Sequence, residues 1–172
     1  MTTVTTDLVH ATMGSPVGEL LLAGARRPDG TLALHAVLFA EGRRPVAADP
    51  ASTRDDDALA PVRAQLGEYF AGARRTFDLE LDPHGSPFER AVWHALTEIP
   101  YGETESYGAL ARRVGRPGAA RAVGLANGRN PISIVVPCHR VIGADGSLTG
   151  YGGGLERKRT LLELEAGVLP LA

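Results

Sequence analysis

The hydrophobic rhythm of this chain changes once, at Pro83-His84-Gly85-Ser86-Pro87. Two prolines and a glycine so close together cannot sit inside a helix or a central strand. The stretch therefore divides the chain into residues 1–82 and 83–172. Before it, apolar residues fall in short runs bounded by turn formers. "GSPVGELLLAGARRPDGTLALHAVLFA" places two such runs around Pro28-Asp29-Gly30 and predicts hairpin-connected strands. "AEGRRPVAADPASTRDDD" is polar and reads as a surface loop. Leu59, Val62, Leu66, Tyr69 and Phe70 recur at helical spacing and predict an amphipathic helix stopping near Gly72. "TFDLELD" alternates Phe77, Leu79 and Leu81 against charges and predicts a strand.

After the break the period is helical. Ser86 can cap a helix with Pro87 at its first position and Glu89 three residues on. Phe88, Val92, Leu96 and Ile99 make its apolar stripe, and Pro100-Tyr101-Gly102 ends it. Further helices are expected at about 106–114, 119–127 and 155–166, the first two joined by the turn Gly115-Arg116-Pro117-Gly118. The expected fold class is α+β: a small N-terminal antiparallel sheet with a helix, serving structure, then a mostly helical C-terminal domain containing a helix-turn-helix.

Charge divides the same way. Ser106 to Ala144 carries Arg112, Arg113, Arg116, Arg121, Arg129 and Arg140 and no acid. Such a block suits an anionic partner, nucleic acid above all, and equally a solvated basic surface. The helix "AARAVGLAN" has small residues around one arginine, Arg121. A low surface of that kind lets a helix approach a duplex closely, or pack tightly on another helix. No run approaches the ~18 apolar residues of a membrane span. The N-terminus has neither the basic start nor the apolar stretch of a signal peptide.

Cys138 is the only cysteine. It excludes an internal disulfide, and the scattered histidines show no metal-ligand spacing, so no metal is expected. A reduced thiol in a cytoplasmic setting follows. A lone cysteine is most often a small buried hydrophobe. This one stands between Pro137 and His139-Arg140, where a basic neighbourhood would favour thiolate. Pro137 biases Val136 toward extended backbone, which places the thiol at the end of an apolar strand. In the last helix Leu155, Leu161, Leu162 and Leu164 supply the apolar residues. Glu165 shares their stripe and could orient His139, in the manner of a triad, or simply reach water at a frayed end. Asn130, before Pro131, marks a turn whose amide could tie two segments together. "TGYGGG" (Thr149–Gly154) matches no phosphate loop but suits a pocket closing over a flat ligand.

Together these segments closely resemble the O6-alkylguanine-DNA alkyltransferases, the methylated-DNA–protein-cysteine methyltransferases. The family core Pro-Cys-His-Arg-Val is Pro137–Val141. "PFERAVWHALTEIPYGETESYGALA", "AARAVGLANGRNP" and "GYGGGLERKRTLLELE" follow the family's other landmarks, and the clear match covers about 82–167. Ser86 and Glu89 stand where the family often has Thr and Gln. The cysteines of a zinc-bearing, phosphotriester-repairing extension are missing, and Cys138 separates the chain from the family's silent, cysteine-less relatives.

The resemblance implies irreversible, stoichiometric transfer of an alkyl group from O6-alkylguanine, and O4-alkylthymine, in double-stranded DNA to Cys138. Glu165, His139 and water would draw off the thiol proton. Asn130 would be the hinge. The helix-turn-helix would enter the minor groove through Ala119, Ala120 and Gly124, Tyr107 would rotate the target phosphate, and Arg121 would fill the stack. Tyr151, Gly152, Gly153 and the carbonyls of Val141 and Cys138 would form the base pocket. A monomer is expected, with cooperative assembly along DNA left open. Two other classes fit parts of the sequence. A DNA-binding module without chemistry accounts for the arginines but not for the thiol's setting. A thiol hydrolase or redox protein would need turnover or a second cysteine.

Overall fold

The computed structural model describes residues 7–41 and 46–167. The chain separates into two compact units, 1–83 and 84–172. In the first, β1 (Asp7–Met13), β2 (Leu20–Arg26), β3 (Leu32–Phe39) and β4 (Thr53–Arg54) form a sheet in the order β3-β2-β1-β4. β2 and β3 are the expected hairpin. At its turn Asp29 Oδ1 accepts from the backbone N–H (2.9 Å) and the hydroxyl (2.6 Å) of Thr31. Such Asx bonding fixes the turn locally, so it is readable from residue types alone.

β1 pairs antiparallel with β2, Val9 opposite Gly24 and Ala11 opposite Leu22. The sequence reading missed it, because Asp7–Met13 lies outside the turn-bounded runs. β4 falls inside the expected surface loop and pairs parallel with β1, so the sheet is mixed rather than purely antiparallel. Gly24 sits where the β2–β3 register shifts. A Cβ there would lie 2.4 Å from the Ala33 carbonyl oxygen, which excludes any side chain without backbone movement.

The helix α1 (Ala60–Phe70) buries Val62, Leu66, Tyr69 and Phe70. Gly72 follows it at φ +76°, a left-handed stop that glycine makes without strain. Tyr69 is fully buried and meets the Phe70 ring edge-on at 5.3 Å and the Phe77 ring at 5.6 Å. The strand expected from "TFDLELD" does not form as one. Only Leu81 bridges to Leu34, although Phe77, Leu79 and Leu81 are less exposed than the charged residues between them. Alternation fixed the sides of this segment; ladder pairing required a neighbouring strand edge that extends along it.

In the second unit α2 (Pro87–Leu96) begins with the expected capping box. Ser86 Oγ accepts from Glu89 N–H at 3.1 Å, and Glu89 Oε1 accepts from Ser86 N–H at 3.0 Å. Val92, Trp93, Ala95 and Leu96 are buried. Phe88, expected in the stripe, is only half-buried and lies beneath the Arg116 guanidinium. β5 (Glu105–Ser106) leads into α3 (Tyr107–Arg113), capped by Ser106, and α4 (Ala120–Gly128) follows the glycine turn. α2, α3 and α4 pack on one another, and the Trp93 indole donates to the Ala126 carbonyl at 2.8 Å.

Cys138–Arg140 is a single 3-10 turn, followed by β6 (Val141–Ile142), which pairs parallel with β5. α5 (Leu155–Glu165) closes the unit. Its inward residues are Lys158, Leu161, Leu164 and Glu165. Leu155, expected among the apolar side chains of this helix, is 46% exposed. Among the described residues no helix is long and apolar enough to cross a membrane.

Candidate functional site

Cys138 does not end an apolar strand as expected. Ile134, four residues earlier, turns the chain at φ +74°, the only non-glycine residue among those described with positive φ. A β-branched residue there is strained, and surrounding bonds must hold it. Asn130 supplies them. Its Oδ1 accepts from Ile132 N–H at 3.0 Å, and its Nδ2 donates to the Val136 carbonyl at 2.9 Å. The buried amide thus joins both arms of the turn that delivers Cys138.

The 3-10 turn places Cys138, His139 and Arg140 side by side in the interior, all at most 5% exposed. His139 Nε2 lies 2.6 Å from Glu165 Oε2. Arg140 forks onto the same carboxylate, Nε to Oε1 at 2.7 Å and Nη2 to Oε2 at 3.0 Å, and its Nη1 donates to the Ile99 carbonyl at 2.6 Å. Gly102 N–H adds a bond to Oε1 at 3.2 Å. Glu165 therefore faces inward, not water. Burial alone would raise its carboxyl, but the hydrogen bonds and charges of His139 and Arg140 outweigh it and hold the group far below the usual carboxylate range. An ionised carboxylate only accepts, so His139 Nε2 carries the ring proton and Nδ1 is left with its lone pair.

That Nδ1 is buried, with no hydrogen-bond partner among the described residues. Burial holds the imidazole below its ordinary range against the pull of Glu165, and the charges of Arg140 and Lys158 push the same way. The site thus contains a neutral base of fixed tautomer next to a thiol. Burial also pushes the Cys138 thiol up, opposed by the Asn130 amide, the Lys158 charge and the Tyr151 hydroxyl. At rest it is a protected thiol.

The two carbonyls expected to line a base pocket are partly occupied. The Cys138 carbonyl accepts from Val141 N–H and, at 3.3 Å, from Asn127 Nδ2. The Val141 carbonyl accepts from Lys158 Nζ at 2.6 Å and keeps one lone pair. Tyr107 donates its hydroxyl to the Thr149 carbonyl at 3.0 Å, and its ring packs against Gly124. Gly152 and Gly153 sit in the loop before α5, with Arg157 Nη1 3.1 Å from the Gly153 carbonyl. Ala119 and Ala120 are half-buried at the start of α4, which has no side-chain cap. Arg121 is exposed there.

The basic block is acid-free only in sequence. Arg113 is forked onto Glu105 and bonded to Glu98, Arg129 is 3.9 Å from Glu89, and Arg140 is consumed by Glu165. Arg112, Arg116 and Arg121 remain exposed without an acidic partner among the described residues. Among the described residues the buried polar side chains that escaped the sequence reading are Asn127, Ser133, Arg140 as a carboxylate partner, and Lys158. Lys158 and Glu165 are seven residues apart on one helical stripe, so the spacing that singled out Glu165 also pointed to Lys158. Among the described residues no three His, Cys, Asp or Glu side chains converge around Cys138 as metal ligands.

Comparison with known proteins identifies the family. Residues 87–167 match the family profile of the 6-O-methylguanine DNA methyltransferase DNA binding domain, and residues 8–83 match that of its ribonuclease-like domain. The methylated-DNA–protein-cysteine methyltransferase of Mycolicibacterium paratuberculosis is 55% identical over 156 residues, covering 91% of each chain. That of Methanosarcina acetivorans is 47% identical, covering 92% of this chain and 98% of its own. The crystal structure of Mycobacterium tuberculosis OGT in complex with DNA superposes with a TM-score of 0.84 at 52% identity, over 94% of this chain and 95% of that one. With both profiles matched in order and half the residues shared along nearly the full length, this chain belongs to the 6-O-methylguanine DNA methyltransferase family.

Proposed function

We propose that this chain repairs alkylated DNA directly, moving one alkyl group from O6 of guanine, or O4 of thymine, onto Cys138 Sγ. The observation that carries this reading is the buried His139 Nδ1, unpartnered and held as an acceptor by Glu165. The thiol proton passes through a water to Nδ1, as a positioned general base requires. The Sγ–C bond forms as the C–O bond breaks, the electron pair leaves with the purine, and Tyr151 gives it a proton that is replaced by the one His139 took from the thiol. A thioether is a poor leaving group, so the protein acts once, as one monomer per lesion. The substrate carries its own leaving group and no cofactor takes part.

O6 cannot reach an interior thiol from within a duplex, so the nucleotide must be extruded. The uncapped start of α4, its small Ala119, Ala120 and Gly124, and exposed Arg121 support a close approach from the minor groove, with Arg121 taking the vacated place in the stack. Tyr107 turns the target phosphate and gives up its bond to Thr149 to do so. The free lone pair of the Val141 carbonyl receives the guanine amine. The Cys138 carbonyl can do so only if Asn127 yields. Gly152 and Gly153 leave room beside O6, and Asn130 holds the helix and the thiol turn as one piece. A reducing cytoplasm keeps the lone thiol available.

The test is the intact mass of the protein after mixing it in equal amount with duplex DNA bearing one O6-methylguanine. A gain of one methyl group, located on Cys138 and missing in Cys138→Ser, is expected, with DNA binding kept in the variant. An unchanged mass with DNA still bound points to a lesion-binding module without chemistry. An unchanged mass with the lesion gone means turnover and refutes the mechanism.

A further inference from the structure

The amide of Asn127 is 2% exposed and only half employed. Its Nδ2 donates to the Cys138 carbonyl at 3.3 Å, while its Oδ1 is buried with no hydrogen-bond partner among the described residues. A carbonyl only accepts, so this bond decides which end of the amide faces Cys138. Leaving the other end unpaired in the interior costs stability, and a side chain kept there at that cost is placed for its one bond. The helix that carries it is anchored at the same level. Asn127 is buried on α4 beside Val123 and Ala126, and the Ala126 carbonyl accepts from the Trp93 indole at 2.8 Å.

The two carbonyls expected to read the base differ in what they have left. A carbonyl oxygen has two lone pairs. That of Cys138 accepts from Val141 N–H and from Asn127, so both are used. That of Val141 accepts from Lys158 Nζ at 2.6 Å and keeps one. O6-alkylguanine brings its 2-amino group, a donor, to this edge. O4-alkylthymine brings O2 and an unprotonated ring nitrogen, which only accept. A pocket whose buried carbonyls wait for an amine rejects a base without one, because those carbonyls are then left unpaired. Here Asn127 has already paired one of them.

We propose that Asn127 is a specificity-determining residue: by holding the Cys138 carbonyl it leaves the guanine amine one acceptor, at Val141, and lets the pocket take O4-alkylthymine with little penalty. The proposal rests on the repair reading above and concerns the choice of base, not the chemistry at Sγ. For guanine to use the Cys138 carbonyl, Asn127 Nδ2 has to let go, and the whole amide is then unpaired in the interior. That cost offsets what the second contact would contribute. For thymine, the amide N–H offsets the partial charge of a carbonyl oxygen that would otherwise face O2 unscreened.

Asn127→Leu removes the donor and keeps the branched shape; Asn127→Gln keeps an amide. The readout is single-turnover transfer to Cys138, followed by intact mass, from duplexes carrying O6-methylguanine or O4-methylthymine. The cost of extruding each lesion is common to parent and variant, so the change in the ratio of the two rates isolates the pocket. In Asn127→Leu the ratio should move toward guanine by about three- to tenfold, the weight of one neutral hydrogen bond. Asn127→Gln should stay closer to the parent ratio. A merely structural amide would slow both lesions equally, and an unmoved ratio in folded Asn127→Leu refutes the proposal. Should that variant fail to fold, the parent protein supplies a second measurement. Free O6-benzylguanine and O6-benzylhypoxanthine differ only in the 2-amino group, and their rates should differ by about tenfold or less, the weight of one bond. A difference of about a hundredfold or more means that both carbonyls read the amine and overturns the proposal. If the parent takes no alkyl group from any of these substrates, the repair reading fails and this proposal with it; transfer from both lesions with an unmoved ratio overturns this proposal alone.

Discussion

Replacing Arg140 by methionine tests the centre of the site through two independent quantities. The guanidinium is buried, its side chain 7% exposed against 1% for Glu165, and it supplies two of the carboxylate's bonds and the partner of the Ile99 carbonyl. Removing one member of a buried ion pair costs about 3–5 kcal/mol, because the other charge stays behind unpaired. For a domain of this size ~1 kcal/mol moves the melting temperature by roughly 2–4 °C, so Arg140→Met should melt about 6–20 °C lower. The chemical effect has a definite sign. Arg140 holds down both Glu165 and His139, so without it both rise and His139 takes up a proton nearer neutral pH. An imidazolium cannot receive the thiol proton. Single-turnover transfer from free O6-benzylguanine should therefore lose rate near neutral pH, and its acidic limb should move upward. Denaturant unfolding and the pH–rate profile measure the two effects separately. A variant within about 1 kcal/mol of the parent, with an unshifted limb, would refute the argument that Arg140 fixes the charge of Glu165 and the tautomer of His139. Lysine should not rescue, since it cannot fork onto both oxygens.

Arg121→Ala should impair repair of a lesion in duplex DNA far more than transfer from the free base, because its exposed side chain acts on the duplex and not on the thiol; equal losses in the two assays count against a role in the stack. Acidification should destabilise the fold. Glu165 is held below its ordinary 4.5, so its contribution is complete above that pH and is lost as pH falls. His139 is held neutral below its ordinary 6.5, so the unfolded chain binds a proton first and folding weakens from that pH downward. Melting temperatures should thus fall between pH 7 and pH 4, and Glu165→Gln should flatten the lower part of the curve. A flat or rising curve in the parent protein would contradict the buried His139–Glu165 assignment.

The segments that could be read directly are those whose structure is decided within a few residues. The Pro28-Asp29-Gly30 turn, the Ser86–Glu89 capping box and the Gly72 stop each close their own hydrogen bonds or dihedrals locally, and each forms as the residue types predict. The helical stripes follow from period alone, and the core Pro137–Val141 carries the family. Sequence also proposed Glu165 as a partner of His139, but could not choose between that and a frayed end in water.

That choice belongs to tertiary structure. His139 and Glu165 are 26 residues apart, and only the packing of α5 on the 3-10 turn excludes water from between them. The parallel pairing of β4 with β1 was invisible for the same reason, since two residues have no period and gain a partner only when a loop brings them to an edge. The strand expected at Phe77–Leu81 shows the converse: alternation persists, and the ladder fails without a facing edge along it. The charges of the arginine block look alike in sequence, yet acids from outside the block occupy Arg113 and Arg140 and leave Arg121 exposed. Lys158 is the extreme case. A lysine's solvation is set by whatever folds over it, and here that is the Val141 and Thr149 backbone, 17 and 9 residues away. The sequence by itself determined the helices, the β2–β3 hairpin, the thiol and the family; desolvation, which is a property of the assembled interior, decided which charges the site retains and toward which atoms they act.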